Sequence, residues 1–286
     1  MTDQTPEIKG VSPWLQTNWD IRAAGNFIGG GTGTGFLVAA VFLGFLSPRL
    51  AAFVGLTFVG LGLFSVWLEI GRPWRSINLF FHPQTSWMTR EGLVALPLFA
   101  LGGLAVLFNS QAALIGAALV GLVYLYCQAR ILMAAKGIPA WRHPALLPVM
   151  MATGLTEGAG LAVVLAQGQG AFLLILLIAL RFDLWRRYNR RLAQDGAPAG
   201  TLRALALRQK QILIAGHIAP VVLLVLASLL GAPFLATLGG VLATVAGWGI
   251  KVLLITKAAY NQGFALPRVP VRGQGSPGAP VKPGWA

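Results

Sequence analysis

Charge is what this sequence has least of. Only 10% of its 286 residues are Asp, Glu, Lys or Arg, against roughly 25% in water-soluble domains. A surface so poor in charge faces something other than water, which argues against one or two soluble domains of this length. Acidic residues are scarcer still, eight against 22 basic ones. The single cysteine, Cys127, sits in an apolar run, so the chain offers neither a disulfide framework nor a Cys-rich metal or iron–sulfur site. Of three histidines only His217 lies well inside an apolar stretch, while His82 and His143 fall between stretches. A haem held by histidines on facing membrane helices is therefore not expected, and neither is a metal in this chain. The opening residues MTDQTPEIKGVSPW contain no apolar stretch with a small-residue cleavage site. No removable signal peptide is expected, and the first helix is expected to act as the insertion signal.

What the chain has in abundance is apolar length, with 56% of residues hydrophobic. About 20 apolar residues at 1.5 Å rise cross a hydrocarbon core of about 30 Å. On that rule spans fall near 23–46, 50–71, 91–108, 111–134, 145–167, 170–188, 211–230 and 233–256. The sixth has a short apolar stretch, AFLLILLIAL, and needs Phe182, Leu184 and Trp185 while Arg181 and Asp183 reach outward or pair internally. The expected fold is an all-α integral membrane protein, an eight-transmembrane-helix bundle with both termini cytoplasmic. It comprises an N-terminal segment 1–22, a membrane domain 23–256 and an extended Pro/Gly-rich tail 257–286.

Lys and Arg near span ends are retained in the cytoplasm. With these spans, Arg49 alone among the 22 falls on the far side; Arg181 and Lys251 are counted with the cytoplasmic cations. The net charge of +14 is thereby accounted for by topology rather than by nucleic-acid binding. The basic loop RFDLWRRYNRRLAQDGAPAGTLRALALRQKQ suits anionic headgroups or an acidic partner surface.

GGGTGTG at 29–35 lies inside an apolar span with no βαβ unit around it, so it is not a nucleotide loop. Gly29 with Gly33, and Gly31 with Gly35, form small-xxx-small pairs that let helix backbones approach closely; room for a flat ligand beside the helix is the other reading. Three acidic residues sit at or within spans, where an ionisable group points to function. Glu69 ends the second span and Glu91 begins the third, so the two carboxyls flank one shallow cavity, or else pair with Arg72, Arg75 or Arg90. Glu157, in ATGLTEGAGL, falls mid-span and is either a structural hydrogen-bonding group or a station on a proton path. His217 carries the same two readings.

The runs WDIRAAGNFIGGGTGTG, LEIGRPWRSINLFFHPQTSWMTREGLVA, YLYCQARILMAAKGIPAWRHP and ITKAAYNQGFALPRVPVRG resemble the NrfD/DmsC/PsrC family of membrane anchor subunits across nearly the whole chain, most specifically in GRPWR…SWMTRE. The resemblance implies a haem-free bundle in a bacterial inner membrane. Such a bundle exchanges electrons between quinone, ubiquinone or menaquinone, and a ferredoxin-like iron–sulfur subunit, which serves a molybdopterin catalytic subunit on the cytoplasmic face. It implies a quinone pocket among the first four helices, with Glu91 matching the family's acidic residue there. Glu69 stands where DmsC-like members have a histidine, which leaves the proton partner open. Asn26 and either Tyr124 or Tyr126 are the implied partners of the quinone carbonyls, with Arg72, Arg75 and Arg90 bordering the pocket or docking surface. Two other readings stand beside this one: an ion-coupled transporter using Glu157, His217 and Glu69, and a passive tether of a redox complex.

Overall fold

Four of the long helices start where a short polar side chain meets the apolar run. Asp20, Ser47, Ser86 and Ser110 each accept a backbone N–H from the first turn of the helix that follows, a cap worth about 1 kcal/mol. The computed structural model describes residues 12–69 and 73–263, with the backbone alone at 73–75. The helices are α1 (Ile21–Leu43), α2 (Pro48–Trp67), α3 (Trp87–Phe108), α4 (Gln111–Ala134), the single turn α5 (Pro139–Arg142), α6 (Leu146–Leu165), α7 (Ala171–Gln194), α8 (Ala199–Leu213), α9 (Ala219–Leu230) and α10 (Pro233–Val252). A 3₁₀ segment, Pro73–Phe81, joins α2 to α3, and wide π turns at Ile214–Ile218 and Leu253–Lys257 continue α8 into α9 and extend α10. No strand occurs among the described residues, only an isolated bridge between Leu15 and Tyr260.

Seven of these runs are long and apolar enough to cross a membrane: α1, α2, α3, α4, α6, the continuous run Ala199–Leu230, and Pro233–Lys257. Phe42, Leu107, Phe108, Phe172, Leu229 and Leu230 are largely exposed, as befits side chains that meet lipid, and the chain is a multi-pass membrane protein. The sixth expected span, 170–188, is not among the seven, because α7 turns basic from Arg181 onward. The basic stretch 181–211 is not a loop either. It forms the end of α7 and most of α8, separated by a tight turn at 195–198. Leu, Ala, Arg and Gln are strong helix formers whatever their charge.

The core forms two layers. One gathers Ala23 and Phe27 of α1, Leu132 of α4, Val149 of α6, Tyr188 of α7 and Ile250 of α10. The other gathers Phe36 of α1, Leu98 of α3, Ala117 of α4, Val163 of α6, Leu174 of α7 and Ala243 of α10. Thus α1, α4, α6, α7 and α10 each run through both. Residues 14–16 meet 259–261 at the first layer, through Gln16 N donating to the Ala259 carbonyl and Asn261 N to that of Trp14.

Helix α1 is the axle, and its glycines divide between two neighbours. A Cβ on Gly29 or Gly33 would strike the α2 backbone at Phe58, Gly62 and Gly55, and one on Gly35 would strike Gly154 of α6. Gly158 presses back on the same helix, where a Cβ would strike the Phe36 nitrogen and Gly35. Both contacts are backbone, so neither yields by a rotamer change. Gly158→Ala is expected to lower stability by about 1–3 kcal/mol, read as a fall in Tm of the detergent-purified protein. Gly249→Ala, whose Cβ would meet nothing within 4 Å, is the control expected to leave Tm unchanged.

Candidate functional site

A cavity of about 470 Å³ opens at the first-layer end of α1–α4. That is the size of a site for a small organic ligand. Its walls are apolar, from Phe27, Leu63, Val66, Leu79, Met88 and Ile131, and its polar lining includes Asn26, Glu69, Asn78 and Glu91. Trp19 closes one side, held by Gln16, whose amide donates to the Trp19 carbonyl and whose oxygen accepts the Trp19 N–H.

Glu91 lies just past the first turn of α3 and is almost wholly buried. Its Oε1 accepts from Asn26 Nδ2 at 3.2 Å and from Gln128 Nε2 at 3.1 Å, and the Gln128 amide also donates to the Asn26 carbonyl at 3.0 Å. Neither amide holds Oε2. The buried Tyr124 hydroxyl neighbours the same carboxyl but lies outside hydrogen-bonding geometry. Among the described residues, three buried polar atoms near Glu91 have no hydrogen-bond partner: Asn26 Oδ1, Gln128 Oε1 and Tyr124 Oη. A buried polar atom left unpaired costs about 1–3 kcal/mol, and of these three residues Asn26 also lines the cavity.

Of the two candidate tyrosines, Tyr124 faces this cluster and Tyr126 faces away. Tyr126 accepts from Arg130 at 2.9 Å and stands edge-on to Trp87. Arg90 pairs with neither carboxyl. It stacks on the Trp87 ring at 4.1 Å and donates to the carbonyls of Pro83 and Gln84, fixing the turn that leads into α3. Arg72 and the Arg75 side chain lie outside the described residues. Gln128 escaped the sequence reading, although it follows Tyr124 by four positions and so shares its helix face.

Glu69, just beyond α2, is the outer carboxyl of the cavity. Partial burial pushes its pKa up, the nearby Asp20 carboxylate adds to this, and Arg22 opposes it. Asp20→Asn removes the repelling charge and frees Arg22 from its 2.8 Å pair. Both changes favour ionised Glu69, so its titration is expected to move to lower pH, read by isotope-edited infrared spectroscopy of the carboxyl band.

A second polar cluster lies between the layers. Glu157 of α6 and Lys251 of α10, both 0% exposed, form a 2.6 Å ion pair. Lys251 also donates to the Phe27 carbonyl, and Glu157 Oε2 accepts from Thr32, whose oxygen accepts the Trp248 N–H. Arg181, also 0% exposed, donates to the carbonyls of Ala243 and Gly216 at 3.0 and 2.6 Å. Arg181 and Lys251 are thus internal cations rather than cytoplasmic ones, and neither informs topology. His217 lies in the π turn, with Nδ1 on the Ile212 carbonyl. No protein-family model matches the chain, and no curated protein matches it.

Proposed function

We propose that this chain is a quinone-reactive membrane anchor of the NrfD/DmsC/PsrC kind. In this reading it passes electrons between ubiquinone or menaquinone and a ferredoxin-like iron–sulfur subunit, which serves a molybdopterin catalytic subunit. The observation that carries the reading is the set of unpaired polar atoms around Glu91, beside an apolar cavity. Asn26 Oδ1 and Gln128 Oε1 only accept, so their missing partners are donors. A quinol presents hydroxyl donors on a flat apolar body, which suits both the acceptors and the walls.

A bound quinone or quinol supplies the two-electron chemistry. Asn26 orients its polar edge, Phe27, Leu63 and Met88 keep water away, and Tyr124 and Gln128 back the carboxyl. Glu91 takes up or returns a proton at Oε2, the oxygen that the amides leave free. Glu69, lining the same cavity, relays it to the aqueous side.

Eight crossings with both termini in the cytoplasm complete the proposal. Passage of α7 through both core layers supports the eighth span, and the two carbonyls on Arg181 make its burial tolerable. The meeting of residues 14–16 with 259–261 supports an even number of crossings, and Arg49 as the one far-side cation supports the orientation in a bacterial inner membrane.

A photoreactive quinone analogue is expected to label α1 or α3 at the cavity, in competition with unlabelled quinol. Mass and metal analysis of the natively isolated complex is expected to find iron–sulfur and molybdenum subunits. A complex that shows no such labelling and no such partners overturns the reading. The transporter reading draws on one observation, the buried Glu157–Lys251 pair, and requires solute flux that stops when that pair is replaced.

A further inference from the structure

A second cavity, of about 420 Å³, lies between the basic half of α7 and the junction of α8 with α9. Its floor includes Phe182, Trp185, Leu213 and His217, and Arg186 and Arg190 stand at its rim. The redox reading above uses none of these residues, and the two sites share no lining residue.

The floor specifies a donor. His217 is 5% exposed, and its Nδ1 lies 2.9 Å from the Ile212 carbonyl. A carbonyl can only accept, so Nδ1 carries the ring proton and Nε2 of the neutral imidazole is a bare acceptor. That Nε2 is buried with no partner among the described residues, beside the Phe182 ring at 5.2 Å between centroids. The rim specifies an anion. Arg186 and Arg190 are one helical turn apart on one exposed face. Arg187 between them is taken by Asp183 at 2.8 Å, whereas no carboxylate pairs with Arg186 or Arg190 among the described residues. The walls specify an amphiphile, because Trp185 and the Phe182 face under Arg186 belong at the depth where apolar chains meet headgroups.

We propose that this cavity binds an anionic phospholipid with a hydroxylated headgroup, phosphatidylglycerol being the simplest. Arg186 and Arg190 hold the phosphodiester, a glycerol hydroxyl donates to His217 Nε2, and the acyl chains lie along the exposed apolar face of α7. The lipid ties α7 to the π turn whose Gly216 carbonyl already accepts from Arg181. Phosphatidylethanolamine fits less well, since its ammonium would stand beside two guanidiniums, and phosphatidic acid lacks the headgroup hydroxyl.

The full chain, purified in detergent and titrated with each lipid, is examined by native mass spectrometry. Phosphatidylglycerol is expected to be retained about thirtyfold more tightly than phosphatidylcholine, as two basic side chains near an anionic headgroup imply. The double variant Arg186→Gln/Arg190→Gln, at exposed positions where folding is not at stake, is expected to abolish that preference. His217→Leu is expected to remove only the preference for phosphatidylglycerol over phosphatidic acid. Equal retention of all four lipids overturns the proposal, as does an unchanged preference in the arginine variant. Displacement of phosphatidylglycerol by a soluble quinol would assign the cavity to quinol instead and also overturn it.

Discussion

Glu91→Gln is expected to lower quinone-linked turnover of the native complex about 10²- to 10⁴-fold, the range that positioned acid–base groups contribute, while the complex still assembles. Glutamine matches the carboxyl in size, and its oxygen can still accept from Asn26 and Gln128, which hold Oε1 at 3.2 and 3.1 Å. Only the exchangeable proton is lost. Gln128→Leu separates chemistry from positioning. It removes one of the two donors to Glu91 and the bond to the Asn26 carbonyl, so it is expected to loosen binding of a quinol-site inhibitor as well as to slow turnover. Steady-state rates with a soluble quinol or quinone, alongside inhibitor affinity, distinguish the two variants. Full turnover in Glu91→Gln would leave the chain a passive tether.

Glu91 stood out because it breaks an apolar run at a span end, and the chain between the second and third spans has to return to the same interface, whereas Asn26 came only from the family resemblance. The α1 glycines were legible for a like reason, since a four-residue spacing of small side chains has few uses in a membrane helix other than close approach. Lys251 was not. It sits in KVLLITK at the end of the last apolar run, where a lysine ordinarily reaches for the cytoplasm, and its partner is 94 positions away. Nothing local distinguishes a buried cation from a snorkelling one. The helix α8 was hidden differently. Charge made residues 199–211 look like loop, although TLRALALRQKQ is composed almost wholly of helix formers. Gln128 was missed because an amide carries no charge to draw attention, even though its spacing from Tyr124 was in plain view.

Breaking the Glu157–Lys251 pair from one side is expected to be the most damaging change to stability in the bundle. Lys251→Met leaves a carboxylate sealed among α1, α6 and α10, and Glu157→Gln leaves an ammonium there. Each is expected to cost about 3–5 kcal/mol, the usual penalty for orphaning one member of a buried pair. The site has little room to adapt. A Cβ on Gly31 would meet Lys251 Nζ, and one on Gly247 would meet Glu157 Cγ, so the pair occupies space that two glycines leave open. The double variant Glu157→Gln/Lys251→Met removes both charges at nearly unchanged volume, and its loss is expected to be well below the sum of the single losses. Thermal unfolding in detergent measures all three. The stable double variant then divides two roles that the single variants confound. Normal quinone-linked turnover would make the pair a structural lock on α1, whereas lost turnover in a folded protein would place Glu157 on a proton route leading from the Glu91 cavity.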